Sequence, residues 1–432
     1  MKKIISLIIV CTIIISGMFI YGKSNKKDVL EDNNGPIIAA VIDGKASTTF
    51  PTTNKYTATV ECTRNGIKQD VGAKATWNGT KWVVSFNDIS AGNVRCNAIF
   101  KTPNFAETIL ANNEIKTPIT TPGAAVSTAS EALLASAEDD YGTSYYFRGT
   151  VTNNYVEFAN KCWRIVRISG DGSVKIILHN DNPTGVANPC DAANNSASAA
   201  FARYSGETYK SAFNTNYNDN AYVGFKYGTP GSSTYAATHA NTNKSTILTN
   251  LETWYDKNNF KDFEKVIADT VWCNDKTNVT DTTYNPFASD GVNVTGLGYA
   301  KNVTFYGATQ RLVSRSKSAG GTGPSLKCNG ELSKISSKVG LITADELAYA
   351  GYAYTHDNTT TYLQENATDT HWWSLSPDFS GTNAGVWLVH GLSGYFDSLI
   401  VNNTYGVRPS ISLKPSTNVT GDGTSEKPYV VN

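Results

Sequence analysis

Three stretches near the C-terminal end decide the fold: Thr370-His-Trp-Trp-Ser-Leu-Ser-Pro377, Ala384-Gly-Val-Trp-Leu-Val389 and Tyr405-Gly-Val-Arg-Pro409. Short runs of β-branched and aromatic residues alternate here with Gly- and Asn-rich breaks, such as His390-Gly-Leu-Ser-Gly394. Runs of this kind, bounded by turn-forming residues, are typical of antiparallel strands joined by tight turns. The pattern predicts a small antiparallel meander with strands over 386–389, 395–401 and 407–413.

The order of these motifs, W-W-x-L-S-P, then an aromatic-rich hairpin, then G-V-R-P, resembles the C-terminal end of a bacterial C-type-lectin-like domain. That broad group also contains the formylglycine-generating (sulfatase-modifying) enzymes and the variable proteins of diversity-generating retroelements. The resemblance covers about the last tenth of the chain, and it is carried by Trp372, Trp373, Ser374, Leu375, Ser376, Pro377, Trp387, Gly394, Gly406, Val407, Arg408 and Pro409. It implies an α+β fold, and it implies that ligands bind to the face of the terminal hairpin.

Polar and aromatic side chains alternate with core positions along this meander. Rigid aromatic rings give contact area at a low cost in side-chain entropy, and Asn adds adaptable hydrogen bonds. The predicted ligand-binding residues are Phe379, Asn383, Trp387, His390, Tyr395, Asp397, Asn402 and Tyr405. The alternative is that Trp387 and Tyr395 only pack in the core or at a sheet edge. Trp372, Trp373 and Arg408 are predicted to hold the fold, since the five donors of a guanidinium can join loop carbonyls.

The N-terminal end has the features of an export signal. Residues 1–27 contain five lysines and no acidic residue, and the stretch from Ile4 to Gly22 is uncharged and mostly apolar. This pattern predicts an uncleaved signal-anchor at 1–27, with a cleaved signal peptide as the alternative, followed by a polar spacer at 28–35. The early lysines stay in the cytoplasm, so the rest is exported. The protein is then either single-pass in the cell membrane with an extracellular C-terminal part, or secreted.

Charge and composition limit the possible partners. Five of the 37 basic residues and none of the 37 acidic residues lie in 1–27, so the remainder carries five more acidic than basic residues. A mildly acidic exported part gives no electrostatic footprint for nucleic acid. An aromatic content of 11% indicates a folded chain and not a disordered one.

Six of the seven cysteines lie in the exported part, and the seventh, Cys11, lies inside the apolar run. Exported chains can form disulfides, and nearness in sequence predicts the pairs Cys62–Cys96, Cys162–Cys190 and Cys273–Cys328. The alternative for the last two pairs is free, buried thiols.

Residues 36–101 are predicted to form a small all-β, immunoglobulin-like domain that serves as a stalk. About five strands fit into this length, Cys62 and Cys96 lie on separate strands, and Trp77 and Trp82 lie nearby. Asn78-Gly79 predicts a tight type I′ turn in a hairpin, because these residues accept a positive φ.

The remaining chain is predicted to be one larger domain with flanking segments. Residues 102–138 read as a Pro- and Thr-containing linker with a short helix over 127–137. Residues 139–415 read as the C-type-lectin-like α+β domain, with opening strands over 144–178, long polar loops over 183–243, and helices from Thr246 and from Thr343. Residues 416–432 form a tail or a last strand.

Motifs of the common catalytic and metal-binding classes are absent from the sequence. The five histidines form no H-E-x-x-H, and no G-x-S-x-G, phosphate-binding loop or C-x-x-C occurs. The calcium-dependent sugar motifs of animal lectins, E-P-N or Q-P-D with W-N-D, are missing too. The resemblance to the formylglycine-generating enzymes implies a thiol-based oxidation near the C-terminal end of the domain. In this chain, however, no cysteine follows Cys328. The sequence therefore predicts no enzyme, no cofactor and no metal.

These observations together predict an exported cell-surface binding or adhesion protein. A membrane segment, an immunoglobulin-like stalk and a C-type-lectin-like head would present the terminal face to an extracellular protein or glycan. Two alternatives stay open at this point, an exported enzyme on a fold like that of the formylglycine-generating enzymes and a structural envelope protein without a specific ligand.

Overall fold

The computed structural model describes residues 36–87, 94–182, 185–204, 207–287 and 292–431. The predicted signal-anchor at 1–27 and spacer at 28–35 lie outside the described residues. The chain divides into two compact units, a small unit that ends at Pro103 and a large unit that starts at Asn104. Both consist mainly of β-strands, with few helices. Across the residues that the structure describes, no helix is both long enough and apolar enough to cross a membrane.

The small unit contains a five-stranded sheet and a separate two-stranded hairpin. Its strands are β1 (Ile37–Ile42), β2 (Lys45–Ser47), β3 (Thr57–Arg64), β4 (Ile67–Gln69), β5 (Lys74–Trp77), β6 (Trp82–Ser85) and β7 (Val94–Lys101). The sheet order is β2-β1-β7-β3-β4, in which β1 and β7 run parallel and the other neighbours run antiparallel. The hairpin consists of β5 and β6.

A small apolar core and one disulfide hold this unit together. Trp82 of the hairpin packs edge-on against the buried Phe100 of the sheet, with ring centroids 5.2 Å apart. Cys62 and Cys96 lie opposite each other on β3 and β7 and form the predicted disulfide. In antibody domains the disulfide joins two sheets, whereas here it joins neighbouring strands of one sheet. The predicted strands are present, but this feature differs from an immunoglobulin sandwich.

The hairpin of β5 and β6 has the predicted pairing and a different turn. Trp77 lies opposite Trp82, so the loop has four residues and is not a two-residue type I′ turn. Asn78 Oδ1 accepts hydrogen bonds from the backbone N–H groups of Thr80 and Lys81, at 3.1 and 2.9 Å. These side-chain bonds stabilise the wider loop, in which Gly79 adopts a φ of +100°.

Short helices are interspersed among the many strands of the large unit. The α-helices are α1 (Phe105–Asn112), α2 (Tyr235–Thr238), α3 (Thr246–Lys257), α4 (Gly307–Leu312) and α5 (Ala344–Ala350), and 3-10 helices occur at Ala192–Asn194, Asn220–Val223, Phe260–Phe263 and Glu331–Ser333. The first strands are β8 (Ala132–Asp139), β9 (Gly142–Gly149), β10 (Tyr155–Phe158), β11 (Lys161–Ile168), β12 (Val174–Asn180), β13 (Arg203–Tyr204), β14 (Glu207–Thr208), β15 (Lys210–Ala212), β16 (Lys226–Tyr227), β17 (Asn243–Lys244) and β18 (Thr270–Cys273). The later strands are β19 (Val292–Asn293), β20 (Asn302–Phe305), β21 (Lys334–Ser337), β22 (Trp372–Ser380), β23 (Ala384–Val389), β24 (Phe396–Ile400), β25 (Thr404–Gly406), β26 (Ser410–Leu413), β27 (Val419–Thr420) and β28 (Tyr429–Val431).

Two large sheets organise this unit. The eight-stranded sheet follows the path β26-β12-β11-β10-β28-β27, with β9 on β11 and β8 on β9. The seven-stranded sheet follows the path β15-β25-β22-β20-β19, with β23 on β22 and β24 on β23. One continuous cluster of buried side chains includes Trp163 of the first sheet, Trp373 of the second and Trp254 of α3. The chain segment after residue 416 supplies last strands, because β28 pairs in parallel with β10.

The predicted terminal meander is correct for its first strands and wrong for its last. Strands β22, β23 and β24 are consecutive antiparallel neighbours. Strand β26, however, leaves this sheet and pairs with β12 of the other one. Arg408, in the connection, donates from Nε to the Leu178 carbonyl at 2.9 Å and from Nη1 to the Leu363 carbonyl, and its guanidinium lies 4.9 Å from the Trp372 ring. The Gly-Val-Arg-Pro segment therefore crosses between the two sheets.

The predicted linker at 102–138 is wrong in its structure. Helix α1 forms there, starts with a capping box between Asn104 and Glu107, and buries Phe105 and Ile109 in the core of the large unit. The helix expected over 127–137 is replaced by β8, which pairs with β9 along eight residues. Pairing with a long partner strand overrides the weak local helical spacing.

Local signals elsewhere predicted the structure correctly. Helix α3 buries an apolar stripe that includes Leu251 and Trp254. Thr343 caps α5, since its side chain accepts from the Glu346 N–H while the Glu346 carboxylate accepts from the Thr343 N–H at 2.9 Å. The three predicted cysteine pairs are all bridged, with Cα–Cα distances of 4.0, 4.9 and 5.5 Å in sequence order. Such bridges are consistent with an extracellular protein.

Candidate binding surface

Four half-buried rings meet at one end of the terminal hairpin. We call His371, His390, Tyr395 and Tyr405 the histidine–tyrosine cluster. The two imidazole centroids are 4.1 Å apart, Tyr405 lies 4.9 Å from His371, and Tyr395 lies 5.2 Å from His390. Each of the four residues is partly exposed, so the cluster reaches the surface and is not sealed inside the core.

Strand pairing brings these residues together. Trp372 of β22 lies opposite Val389 of β23. Because the pair is antiparallel, His371 and His390 stand side by side one residue beyond it. Strand β25 runs parallel to β22 and places Tyr405 next to His371.

The turn that follows His390 is held in one conformation. The His390 N–H donates to the Tyr395 carbonyl at 2.8 Å, and the Asn358 N–H donates to the Ser393 carbonyl at 3.0 Å. Gly394 adopts a φ of +66°, and a Cβ there would lie 2.0 Å from the Asn358 carbonyl oxygen. Only glycine fits this approach. The backbone that carries His390 and Tyr395 is therefore held in place by contacts within the fold.

Both imidazoles are uncharged at neutral pH. Burial lowers the pKa of His371, and the neighbouring His390 lowers it further. Burial also lowers the pKa of His390, against a smaller opposing effect of Asp357. The Gly391 N–H donates to His371 Nδ1 at 3.3 Å, which places the proton of His371 on Nε2.

The cluster is surrounded by apolar and charged residues. Tyr405 rests on the buried Trp373, with ring centroids 5.2 Å apart. Leu392 at the tip of the turn is 84% exposed. Lys210 and Asp369 form an ion pair of 3.5 Å beside Tyr405, and both side chains are partly exposed. An aromatic centre with a charged rim is the usual anatomy of a protein recognition surface.

Comparisons of the chain with known protein families, curated proteins and solved structures find no match. The C-type-lectin-like assignment of the large unit therefore stays a prediction from the terminal motifs. The immunoglobulin-like assignment of the small unit is likewise a prediction.

Five of the eight predicted ligand-binding residues lie outside the cluster, namely Trp387 and the four that follow. Asn383 lies in the turn between β22 and β23, at the opposite end of that hairpin. Phe379 packs against Phe287 with ring centroids 6.2 Å apart. Asp397 in β24 is half-buried, and burial raises the pKa of its carboxyl group. Asn402 is exposed in the turn after β24. The eight predicted residues thus do not form one surface, although His390, Tyr395 and Tyr405 do.

Trp387 is wrongly assigned to the binding face. Its side chain is fully buried, 5.6 Å from the Tyr354 ring and 4.8 Å from the Phe396 ring. Every residue of β23 is buried, so both faces of this strand are covered. Alternation in the sequence does not reveal a second covered face. Trp372, Trp373 and Arg408 are buried as well, and none of them reaches the surface.

His371 was missed by the sequence analysis. A signal for it existed, because the pairing of the W-W motif with the strand ending at Val389 places His371 beside His390. The strands can be assigned from the sequence, but their register cannot, and the register decides which residues at the strand ends become neighbours.

A second group of convergent titratable side chains surrounds a cavity of about 40 Å³ beside the Cys273–Cys328 disulfide. We call this group the ion network; it contains Asp139, Arg167, Lys175, Asp275, Arg311, Asp345 and Glu346. The cavity has room for a few water molecules. Within the described ranges, no group of three or more His, Cys, Asp or Glu residues is arranged to hold a metal ion.

The charges of the ion network are paired with one another. Glu346 Oε1 accepts from Arg167 Nε at 2.8 Å and from Lys175 Nζ at 2.6 Å. Arg311 binds Asp275 at 2.8 Å and Asp345 at 2.7 Å. Burial raises the pKa of Glu346, but the two neighbouring cations lower it more, to about 2. The network joins β11, β12, α4 and α5, and this indicates a role in holding these elements together.

Proposed function

We propose that this chain is an exported cell-surface binding protein whose large unit recognises an extracellular ligand, a protein or a glycan, through the histidine–tyrosine cluster. The observation that carries the proposal is the meeting of four partly exposed residues with rings, which strand pairing brings together beside a turn held by Asn358. Rings that are ordered before binding lose little further entropy when a ligand covers them. The three disulfides support export.

The proposal includes an architecture. The small unit is an immunoglobulin-like stalk, the large unit is a C-type-lectin-like head, and the N-terminal segment is a membrane anchor or a signal peptide. The strand content of both units and the antiparallel hairpin at the end of the large unit are consistent with this layout. A structural envelope protein would not need an exposed aromatic cluster, and this favours recognition.

An enzyme is the weaker alternative. The ion network brings titratable groups together beside Cys273 and Cys328, as a catalytic site would. Its cations and carboxylates are paired with one another, however, and its cavity of about 40 Å³ takes only molecules of the size of water.

Glycan and protein arrays probed with residues 28–432 test the proposed function. For a ligand found there, the double variant Tyr395→Ala with Tyr405→Ala should weaken binding by about 30-fold or more, as expected when two aromatic anchors are lost. Tyr141→Ala is the matched control, because Tyr141 is 57% exposed in the turn between β8 and β9. It should leave affinity unchanged.

Two results would contradict the proposal. Equal affinity of the double variant and the wild type, with equal melting temperatures, would remove the cluster as the binding face. A blank on both array types would favour a structural role for the whole chain. Trp387 is unsuitable for this test, since truncating a buried indole costs about 3–5 kcal/mol of stability.

A further inference from the structure

An open polar groove lies beside the start of α3, and we call it the Tyr222 groove. Its volume is about 260 Å³. Ten residues line it, namely three asparagines, three threonines, one serine, two tyrosines and one lysine. Small-molecule sites usually have about 300–1,000 Å³. The groove is therefore suited to a ligand of about one ring and not to a larger compact molecule.

The lining carries no unbalanced charge. Lys244 is the charged residue of the lining, and its Nζ lies 2.6 Å from the Glu252 carboxylate. This ion pair leaves the groove close to neutral, although both side chains are partly exposed. An anion would have to compete with Glu252 for the ammonium group, and a neutral ligand would not.

The start of α3 offers no free donors to an anion either. The Thr246 N–H donates to Asn214 Oδ1 at 3.3 Å, and the Leu248 N–H donates to Ser245 Oγ at 3.2 Å. The Ile247 N–H is bonded to a backbone carbonyl at 3.1 Å. These are the groups that bind anions at helix N-termini when they are unpaired. Here they are used within the fold.

The side chains that line the groove offer aromatic rings, amides and hydroxyls. Tyr222 and Tyr227 are half-buried and meet edge to face, with centroids 5.6 Å apart. Burial raises the pKa of Tyr222, so its phenol stays protonated. The exposed Asn216 lies beside them and forms a side-chain hydrogen bond with Tyr222, and Thr215 also lines the groove. Amide, phenol and hydroxyl groups can each both donate and accept hydrogen bonds.

We propose that the Tyr222 groove binds one neutral pyranose residue of a glycan. A pyranose is uncharged, its hydroxyl rim donates and accepts, and its C–H face carries the slight positive charge that aromatic faces attract. This site is separate from the histidine–tyrosine cluster and does not depend on it. The two are close, because Asn250 at the groove donates to Ser211 Oγ at 2.8 Å and Ser211 pairs with Tyr405.

Titration of the full chain with D-glucose, D-galactose, D-mannose and N-acetyl-D-glucosamine, followed by saturation-transfer NMR, tests the inference. At the binding energy per atom usual for small ligands, a molecule of about twelve heavy atoms has a Kd in the millimolar range. Asn216→Ala and Tyr227→Phe each remove polar partners and should weaken binding several-fold, and Tyr227→Ala should weaken it further. Thermal melting checks that each variant is folded.

The cluster variant Tyr395→Ala with Tyr405→Ala should leave the Kd for the monosaccharide unchanged. This result would show that sugar binding in the groove is independent of the cluster. The inference about the groove and the proposed function of the cluster can then each hold or fail without the other. Three results would overturn the inference: no saturable binding of any of the four neutral sugars, tighter binding of glucuronate or inorganic phosphate than of these sugars, or full affinity in folded Asn216→Ala and Tyr227→Phe chains.

Discussion

The small unit and the large unit bury different kinds of side chain. In the described part of the small unit, 36–87 and 94–103, the buried side chains are apolar or belong to the Cys62–Cys96 disulfide. The large unit also buries charged groups, among them Arg148, Lys175 and Glu346. Several of these join segments that are far apart in the chain.

The size of the core explains the difference. A short chain buries too little apolar surface to offset the desolvation of charges, and a covalent bridge is the usual compensation. The larger core tolerates charges that are fully paired, such as Arg148 with Glu131 at 3.0 Å. Ion pairs have preferred geometries, so they also restrict how the connecting segments pack. The small unit is thus stabilised by a cross-link and the large unit by a polar framework.

The largest expected effect is the loss of stability when a buried ion pair of the large unit is broken. Glu346→Ala removes the carboxylate that binds Lys175 and Arg167, and it leaves the Lys175 ammonium buried without its partner. Breaking a buried pair in this way costs about 3–5 kcal/mol. Urea unfolding of the full chain, followed by hydrogen exchange at peptide resolution, should show the loss in the large unit.

A control at an exposed ion pair distinguishes the effect of burial from the effect of removing a charge. Glu331→Ala removes an exposed pair with Lys334 in the same unit and should change stability by less than about 0.5 kcal/mol. Adding Lys175→Met to Glu346→Ala should recover part of the loss, because no unpaired ammonium remains. A cost below about 1 kcal/mol for Glu346→Ala would show that the ion network does not stabilise the large unit.

The second effect concerns the cross-link. Replacing Cys62 and Cys96 by serine opens a loop with a sequence separation of 34 and should cost about 3–4 kcal/mol. Hydrogen exchange should report this loss in peptides of the small unit. The corresponding change at Cys273 and Cys328 should leave those peptides unaltered. Equal responses of the small unit to both changes would contradict the assignment of its stability to one bridge.

The smallest effect is a pH dependence that belongs to the large unit. Burial, and secondarily Lys276, lower the pKa of His239 to about 3. The unfolded chain, with a histidine pKa of about 6.5, binds the proton more readily, so stability falls as the pH drops below about 6.5. At pH 5 this amounts to about 2 kcal/mol for His239.

His239→Phe tests the pH dependence, because the loss of the hydrogen bond to Tyr306 is independent of pH and shifts all values equally. Urea unfolding at pH 5, 6 and 8 should show a shallower decline for the variant than for the wild type. All five histidines lie after Pro103, so the small unit should not share this response. Parallel curves for variant and wild type would contradict the buried, neutral state of His239.

The fold could be predicted where its causes are local. The capping box of Thr343 and Glu346, the apolar stripe of α3 and the strands with turn residues at their ends were all assigned from neighbouring residues. Strand β8 is an exception, because its Leu-Leu-Ala core suits a helix or a strand equally, although its partner β9 follows after a turn of only two residues. The transfer of β26 to the other sheet depends on long-range pairing, which neighbouring residues do not reveal.

The binding surface, too, could be predicted only where its residues lie close together in the sequence. Three cluster residues, His390, Tyr395 and Tyr405, belong to one short stretch with turn and strand signals. Trp387 was misplaced because its strand is covered on both faces. The Tyr222 groove gave no signal, since it is assembled from two segments of a polar tract and a helix start that are neighbours only after folding.

The position of Glu346 has a consequence for the evolution of this chain. One carboxylate serves the N-cap of α5 through Thr343 and neutralises Arg167 and Lys175 on β11 and β12. Glu346, Thr343, Arg167 and Lys175 are separated by up to about 180 residues in the sequence. A change at one of them nevertheless alters the charge or hydrogen bond that the others must balance. In diverging descendants they should be substituted together or not at all. The residues of the cluster and the groove take no part in this network, so substitutions there do not require changes at Glu346, Arg167 or Lys175.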